Sequence, residues 1–221
     1  MLRACLLAGV SLVVARTPTA APRQGPELTA TVADACRTLG ASVFECGLPA
    51  SGSIEADDAA TADSVAAALA ELDEVNLLLV DAASAFAPLR SAESAGASGA
   101  GAATADLVRA LEASWRVTQA LATAAFIERG VAGRIVYIAP PPDAGAHAEA
   151  ARAGLENLAR TLSIEWARYR IAPVTIAAGA QTAAGEIAAL TAYLASPAGA
   201  YFSGCLLDLR GASARASTPG P

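Results

Sequence analysis

Six short, continuous apolar runs, separated by longer segments of helical periodicity, restrict what this chain can fold into more than any other feature. The runs lie at residues 11–15, 41–46, 75–80, 134–138, 173–177 and 205–209. An unbroken apolar run of this length reads as a strand buried on both faces, because an open face would show alternating polar residues. The intervening segments 27–39, 58–72, 106–128, 152–169 and 186–194 carry apolar stripes at helical spacing. In the first of them Leu28, Val32, Cys36 and Leu39 share a face, and Gly40 is placed to stop the helix. Strands alternating with helices predict a parallel, doubly wound sheet in three α/β/α layers with right-handed crossovers.

Length and composition bound the function classes. A chain of 221 residues suits one domain with a full core, here expected over 1–211, with 212–221 as a disordered tail. The net charge is −6 and all 15 cations are arginine, so no lysine chemistry is available and no basic patch suits nucleic acid. His147 is the only histidine, and Cys5, Cys36, Cys46 and Cys205 form no CxxC pair, so no metal site is expected. The scattered cysteines fit a reduced, cytoplasmic setting. No stretch reaches the ~18 apolar residues of a membrane span. Residues 1–21 share features with a secretory signal, but β-branched residues and the closing Arg16 favour an interior strand. Residues 92–103, almost all Ala, Gly and Ser, read as a flexible surface loop.

Five segments, in order, resemble the short-chain dehydrogenase/reductase family. VNLLLVDAAS (75–84) is similar to its strand ending in NNAG. ADLVRALEASWRVTQALATA resembles its long interface helix, and GRIVYIA the strand that ends at the catalytic serine. Residues 151–180 are similar to its next helix and strand, and LASPAGAYFSGCLLDLRG (194–211) to its C-terminal signature. The resemblance spans about residues 40–211 and implies a Rossmann-like fold, NAD(P) binding and carbonyl reduction. It leaves open whether residues 1–40 hold the family's first strand or its second, and the spacing to Asp81 favours the first.

The family's chemistry needs Asn, Ser, Tyr and Lys, and the matching positions depart from all four. The Tyr and Lys positions fall on Ala148 and Arg152, the serine on Ala139 or Pro140, and the Asn near Ala110. The NNAG turn reads Asp81-Ala82-Ala83-Ser84. After the first strand, RTPTAAPRQGPE has no glycine-rich turn, and its prolines and side chains remove donors and block close approach to a phosphate. Only AQTAA stands where the family carries a substrate lid. His147 adjoins the tyrosine position, yet one step along a helix start turns a side chain by about 100°, so it is expected on the surface. Tyr137 sits within an apolar run and is expected in the core.

These departures predict no catalytic residue and no bound cofactor, with Arg16, Asp81 and Arg152 as weak cofactor-binding candidates should NAD(P) bind. Arg152 is read as a drifted lysine, solvated or salt-bridged. The relatives of the family called halohydrin dehalogenases also carry Arg at that position, but they keep Ser and Tyr. What survives is the packing: helices 106–128 and 152–169 and strand 205–209 correspond to the family's assembly surfaces. The expectation is therefore a non-catalytic, assembly-stabilising subunit, as a homo-oligomer or beside an active relative. The alternatives are a divergent NAD(P)-dependent oxidoreductase and a cofactor-free lyase.

Overall fold

The computed structural model describes residues 5–17, 28–48, 54–86 and 100–211. The expected turn at 18–27, most of the expected loop at 92–103 and the tail at 212–221 lie outside the described residues, as do residues 1–4. Six strands form one sheet: β1 (Ser11–Arg16), β2 (Ser42–Gly47), β3 (Leu77–Asp81), β4 (Gly133–Ala139), β5 (Ile171–Ala177) and β6 (Cys205–Asp208). Their order is β2-β1-β3-β4-β5-β6, and every neighbouring pair is parallel.

Among the described residues six α-helices lie between them: α1 (Leu28–Thr38), α2 (Ile54–Glu71), α3 (Ala82–Phe86), α4 (Ala100–Leu121), α5 (Ala148–Glu165) and α6 (Ala184–Ala195). Alternate residues of each strand face opposite layers. Leu12, Val14, Leu79, Val136 and Ile176 pack with Val32 and Cys36 of α1 and Ile187 and Ala192 of α6. Val13, Leu78, Ile135 and Tyr137 pack with Val65 of α2, Val117 and Leu121 of α4 and Leu155 of α5. Both faces of β1, β3, β4 and β5 are covered, which is why those strands read as unbroken apolar runs, whereas the edge strands β2 and β6 are partly exposed.

β1 lies between β2 and β3, the position of the first strand in a doubly wound sheet. In the common dinucleotide-binding order two strands lie outside the first on that side; among the described residues only β2 does. Thus the early chain holds the first strand, and among the described residues the sheet has one strand fewer at that edge.

Several boundaries differ from the sequence reading. α4 begins at Ala100, not 106, because the alanines of the small-residue run are strong helix formers. At its far end the helix opens into a π turn over Ala122–Ile127, which sets Phe126 against the backbone of Gly133. α5 begins at Ala148 rather than 152, and ends at Glu165, followed by a 3-10 turn at Ala167–Tyr169. α2 likewise starts earlier, at Ile54. Gly40 stops α1 as expected, with φ +96, a left-handed conformation that favours glycine.

Candidate functional site

In an open parallel sheet ligands bind beyond the carboxyl ends of the strands, where the strand order reverses. Here that point lies between β1 and β3. Asp81 ends β3 and stands at the start of α3, where its Oδ1 accepts the amide of Ser84 at 3.0 Å. The Ser84 hydroxyl donates to the Asp81 carbonyl at 2.7 Å and accepts the amide of Thr17 at 3.0 Å. One serine side chain therefore ties the end of β1 to the end of β3. The Thr17 amide, the first N–H beyond β1, is already spent within the chain. Arg16 turns its charge to Glu45 of β2, Nε to Oε2 at 3.6 Å, and Glu45 also accepts from Arg37 at 3.0 Å.

The second half of the edge is built on β4, β5 and α5. Ala148 and Arg152 lie one turn apart on the buried face of α5. Ala148 is 2% exposed and presents a methyl group where the resemblance calls for a phenol. Arg152 is 4% exposed. Its Nη1 donates to the carbonyl of Pro140, just past β4, at 3.0 Å and to that of Ala178, just past β5, at 2.9 Å. Its Nε lies 3.5 Å from Glu149 Oε2. Burial pulls its pKa down from the usual arginine value, and Glu149 works against that shift.

Of the two expectations for Arg152, solvated or salt-bridged, the ion pair with Glu149 is present and the solvated one is corrected by burial. The guanidinium is a buried cross-link between two strand ends. Two carbonyls 12 and 26 residues away in sequence become neighbours only once β4 and β5 pair, so no local signal announces them.

Beyond Arg152 the edge is a network of charges. Arg210 holds Asp208, with Nη2 to Oδ2 at 2.6 Å and Nε to both carboxylate oxygens at 2.9 Å. Its Nη1 comes within 3.9 Å of Glu149. The Arg210 hydrogen bonds draw the Asp208 carboxyl down to about 2. The sequence reading named neither residue. The signal was there, an acidic residue ending a strand with a cation two places on, but such spacing is common on surfaces.

The remaining expected positions are core. Ala110 is 2% exposed, Ala139 is fully buried, and Pro140 is buried. Tyr137 is also fully buried; its hydroxyl pairs with Thr118 at 3.0 Å, and burial raises its pKa. His147 is exposed, in a left-handed conformation at the start of α5 with φ +68. Between β5 and α6 the connection is short, and the Gly179 amide donates to Thr182 Oγ1 at 2.8 Å.

No family model matches the chain, and no curated protein does. Solved structures do resemble it. A citronellol catabolism dehydrogenase of Pseudomonas aeruginosa PAO1 aligns at TM-score 0.71 and 23% identity, over 97% of this chain and 99% of that one. A short chain dehydrogenase of Mycobacterium smegmatis gives 0.68 and 20%, over 92% of each chain. A hydroxysteroid dehydrogenase of Escherichia coli gives 0.66 and 17%, over 94% of this chain and 98% of that one. At these identities the likeness is one of fold: this chain has the Rossmann-like architecture of the short-chain dehydrogenases.

Proposed function

We propose that this chain is a short-chain dehydrogenase/reductase-type protein that has lost oxidoreductase catalysis and acts as a non-catalytic, assembly-stabilising subunit in the cytoplasm. The observation that carries this reading is the carboxyl edge of the sheet, where Ser84, Asp81, Arg152, Asp208 and Arg210 bond within the chain, although Thr17 Oγ1 and Arg152 Nη2 stay buried without a partner. Ser84 closes the β1–β3 crevice, Arg152 cross-links β4 and β5, and Ala148 occupies the acid/base position with a buried methyl. A general acid needs a titratable group within hydrogen-bond reach of the substrate. Tyr137 is sealed in the core, and His147 lies outside on the loop.

The outer faces of α4 and α5 supply the assembly surface in this reading. Val108 is 47% exposed, Trp115 37% and Ile164 76%. Trp115 stacks on Trp166 with ring centroids 6.2 Å apart, joining the two helices across their ends. Gly154 of α5 lets Leu111 of α4 approach closely. Apolar side chains on adjacent exposed helices favour burial against a partner. Sedimentation of the purified chain, and size-exclusion chromatography after co-expression with a catalytically intact relative, test this. The expected outcome is a species larger than 21.9 kDa, reduced by Ile164→Glu combined with Val108→Glu. A monomer under both conditions contradicts the proposal.

A second reading, a divergent NAD(P)-dependent oxidoreductase, draws support from the fold neighbours, which are dehydrogenases, and from alignment over nearly their whole length. Cofactor binding separates the two.

A further inference from the structure

A strand in a parallel sheet bonds to one neighbour through alternate residues and turns the groups of the others to its opposite side. In β2 the Ser42 amide donates to the Val10 carbonyl at 2.9 Å, and the Leu48 amide just beyond it donates to the Arg16 carbonyl at 2.7 Å. The register between these two bonds gives Ser42, Phe44 and Cys46 to β1 and turns the N–H and C=O of Val43, Glu45 and Gly47 outward. Among the described residues β2 ends the sheet, on the side where the common doubly wound order carries one more strand. Ser42, Glu45 and Gly47 are exposed, and Val43 and Phe44 are only partly buried, on opposite faces of the strand. A row of outward backbone groups beside Val and Phe is a template for another strand.

We propose that this edge pairs antiparallel with β2 of a second copy of the chain, about a two-fold axis at Phe44, joining two sheets into one. The side chains favour this occupant in this register. Outward residues face outward residues in such a pair, so the axis falls on Val43, Phe44 or Glu45. An axis on Glu45 sets two like charges opposite each other. An axis on Val43 calls on the Ala41 amide, which already donates to the Cys36 carbonyl at 3.0 Å. An axis on Phe44 sets Phe44 beside its own copy and Val43 opposite Glu45 twice, so the outward N–H and C=O of both residues find partners. Glu45 brings its own counter-charges, with Arg37 at 3.0 Å and Arg16 at 3.6 Å, which offset the approach of two carboxylates. A six-residue edge covers less than the ~1,200–2,000 Å² of a stable interface, so the dimer depends on concentration. This surface shares no residue with the α4 and α5 face and does not rest on it.

The test uses the full chain carrying Ile164→Glu and Val108→Glu, which sets the helix face aside. Sedimentation velocity from about 1 μM to about 1 mM measures association, and amide hydrogen exchange by NMR on the same samples measures the edge. A dimer is expected to form as concentration rises, with exchange at the Val43 and Glu45 amides slowing several-fold and exchange at Phe44, bonded to β1, unchanged. Val43→Pro removes one outward N–H without touching the β1 ladder, and should weaken the dimer several-fold. If that variant fails to fold, exchange at Val43 and Glu45 decides alone. The proposal is overturned by a chain that stays monomeric throughout, or by a dimer that a folded Val43→Pro leaves unchanged. Exchange at Val43 and Glu45 that is the same at every concentration overturns it too, as the sign of an edge left to solvent or covered within its own chain. An oligomer of the unaltered chain that the two helix-face substitutions make wholly monomeric supports the helix face and overturns the edge, so the two surfaces fail separately.

Discussion

At Ser84 a single hydroxymethyl side chain holds together two strands that lie 60 residues or more apart in sequence. Its hydroxyl donates to the Asp81 carbonyl and accepts the Thr17 amide, so Ser84→Ala removes two hydrogen bonds and strands a backbone N–H. At a net 0.5–1.5 kcal/mol per bond, the expected loss is about 1–3 kcal/mol, read as a lower denaturant midpoint. An unchanged midpoint would mean that water replaces the hydroxyl and the crevice is open. The thiols give a second residue-scale expectation. Burial raises the pKa of Cys36 to about 11 and of Cys46 to about 12, while Cys5 is exposed. Thiolate, not thiol, is the reactive form. At pH 8 a thiol reagent should therefore label Cys5 first and reach Cys36 and Cys46 only after denaturation. Equal rates at all four cysteines would contradict the packing of α1 and β2. Both shifts are upward, so the stability linked to them is complete below about pH 9 and falls as the pH rises through 11 to 12. Tyr137 adds in the same direction.

Among the elements, α4 and its π turn show how a local irregularity serves packing. The extra residue per turn at Ala122–Ile127 brings the Phe126 ring over Gly133, where a Cβ on residue 133 would overlap the ring. Gly133→Ala should cost about 1–3 kcal/mol by overpacking, measured as a drop in Tm with the fold intact by circular dichroism. A neutral result would show that Phe126 can turn aside. Nothing in LATAAFIERG marks the π turn, because its cause is a contact with a strand that follows it. The start of α5 was hidden differently. AHAEAAR matched a loop and helix start in the resemblance, yet alanines at 148, 150 and 151 favour helix by propensity alone. Strands β1, β3, β4 and β5 were legible because burial on both faces leaves continuous apolar runs, and the edge strands β2 and β6, half exposed, kept enough apolar residues to be read. The burial of Arg152 was not, since its acceptors are backbone carbonyls that sequence does not distinguish from any others.

For the whole molecule, the sheet is a doubly wound scaffold in which described side chains at the carboxyl edge bond to one another. Its strand order, crossovers and layers suit a nucleotide. The edge holds instead Ser84 at the switch point, Arg152 across β4 and β5, and the Asp208–Arg210 pair beside them. The depressed pKa of Asp208 means that its contribution is present above about pH 4 and is lost as pH falls toward 2. That carboxylate is exposed, so the effect on stability is small. Acid thus acts weakly at the edge, whereas alkali acts on buried groups of the core. The central claim, loss of dinucleotide-dependent catalysis, is tested most directly by fluorescence titration of the intact chain with NADH and NADPH. A non-catalytic chain leaves the nucleotide emission unchanged throughout the concentrations where working enzymes of this kind saturate, about 1 μM to 1 mM. Saturable enhancement at micromolar concentration, abolished by unfolding the protein, would contradict the claim and establish the second reading.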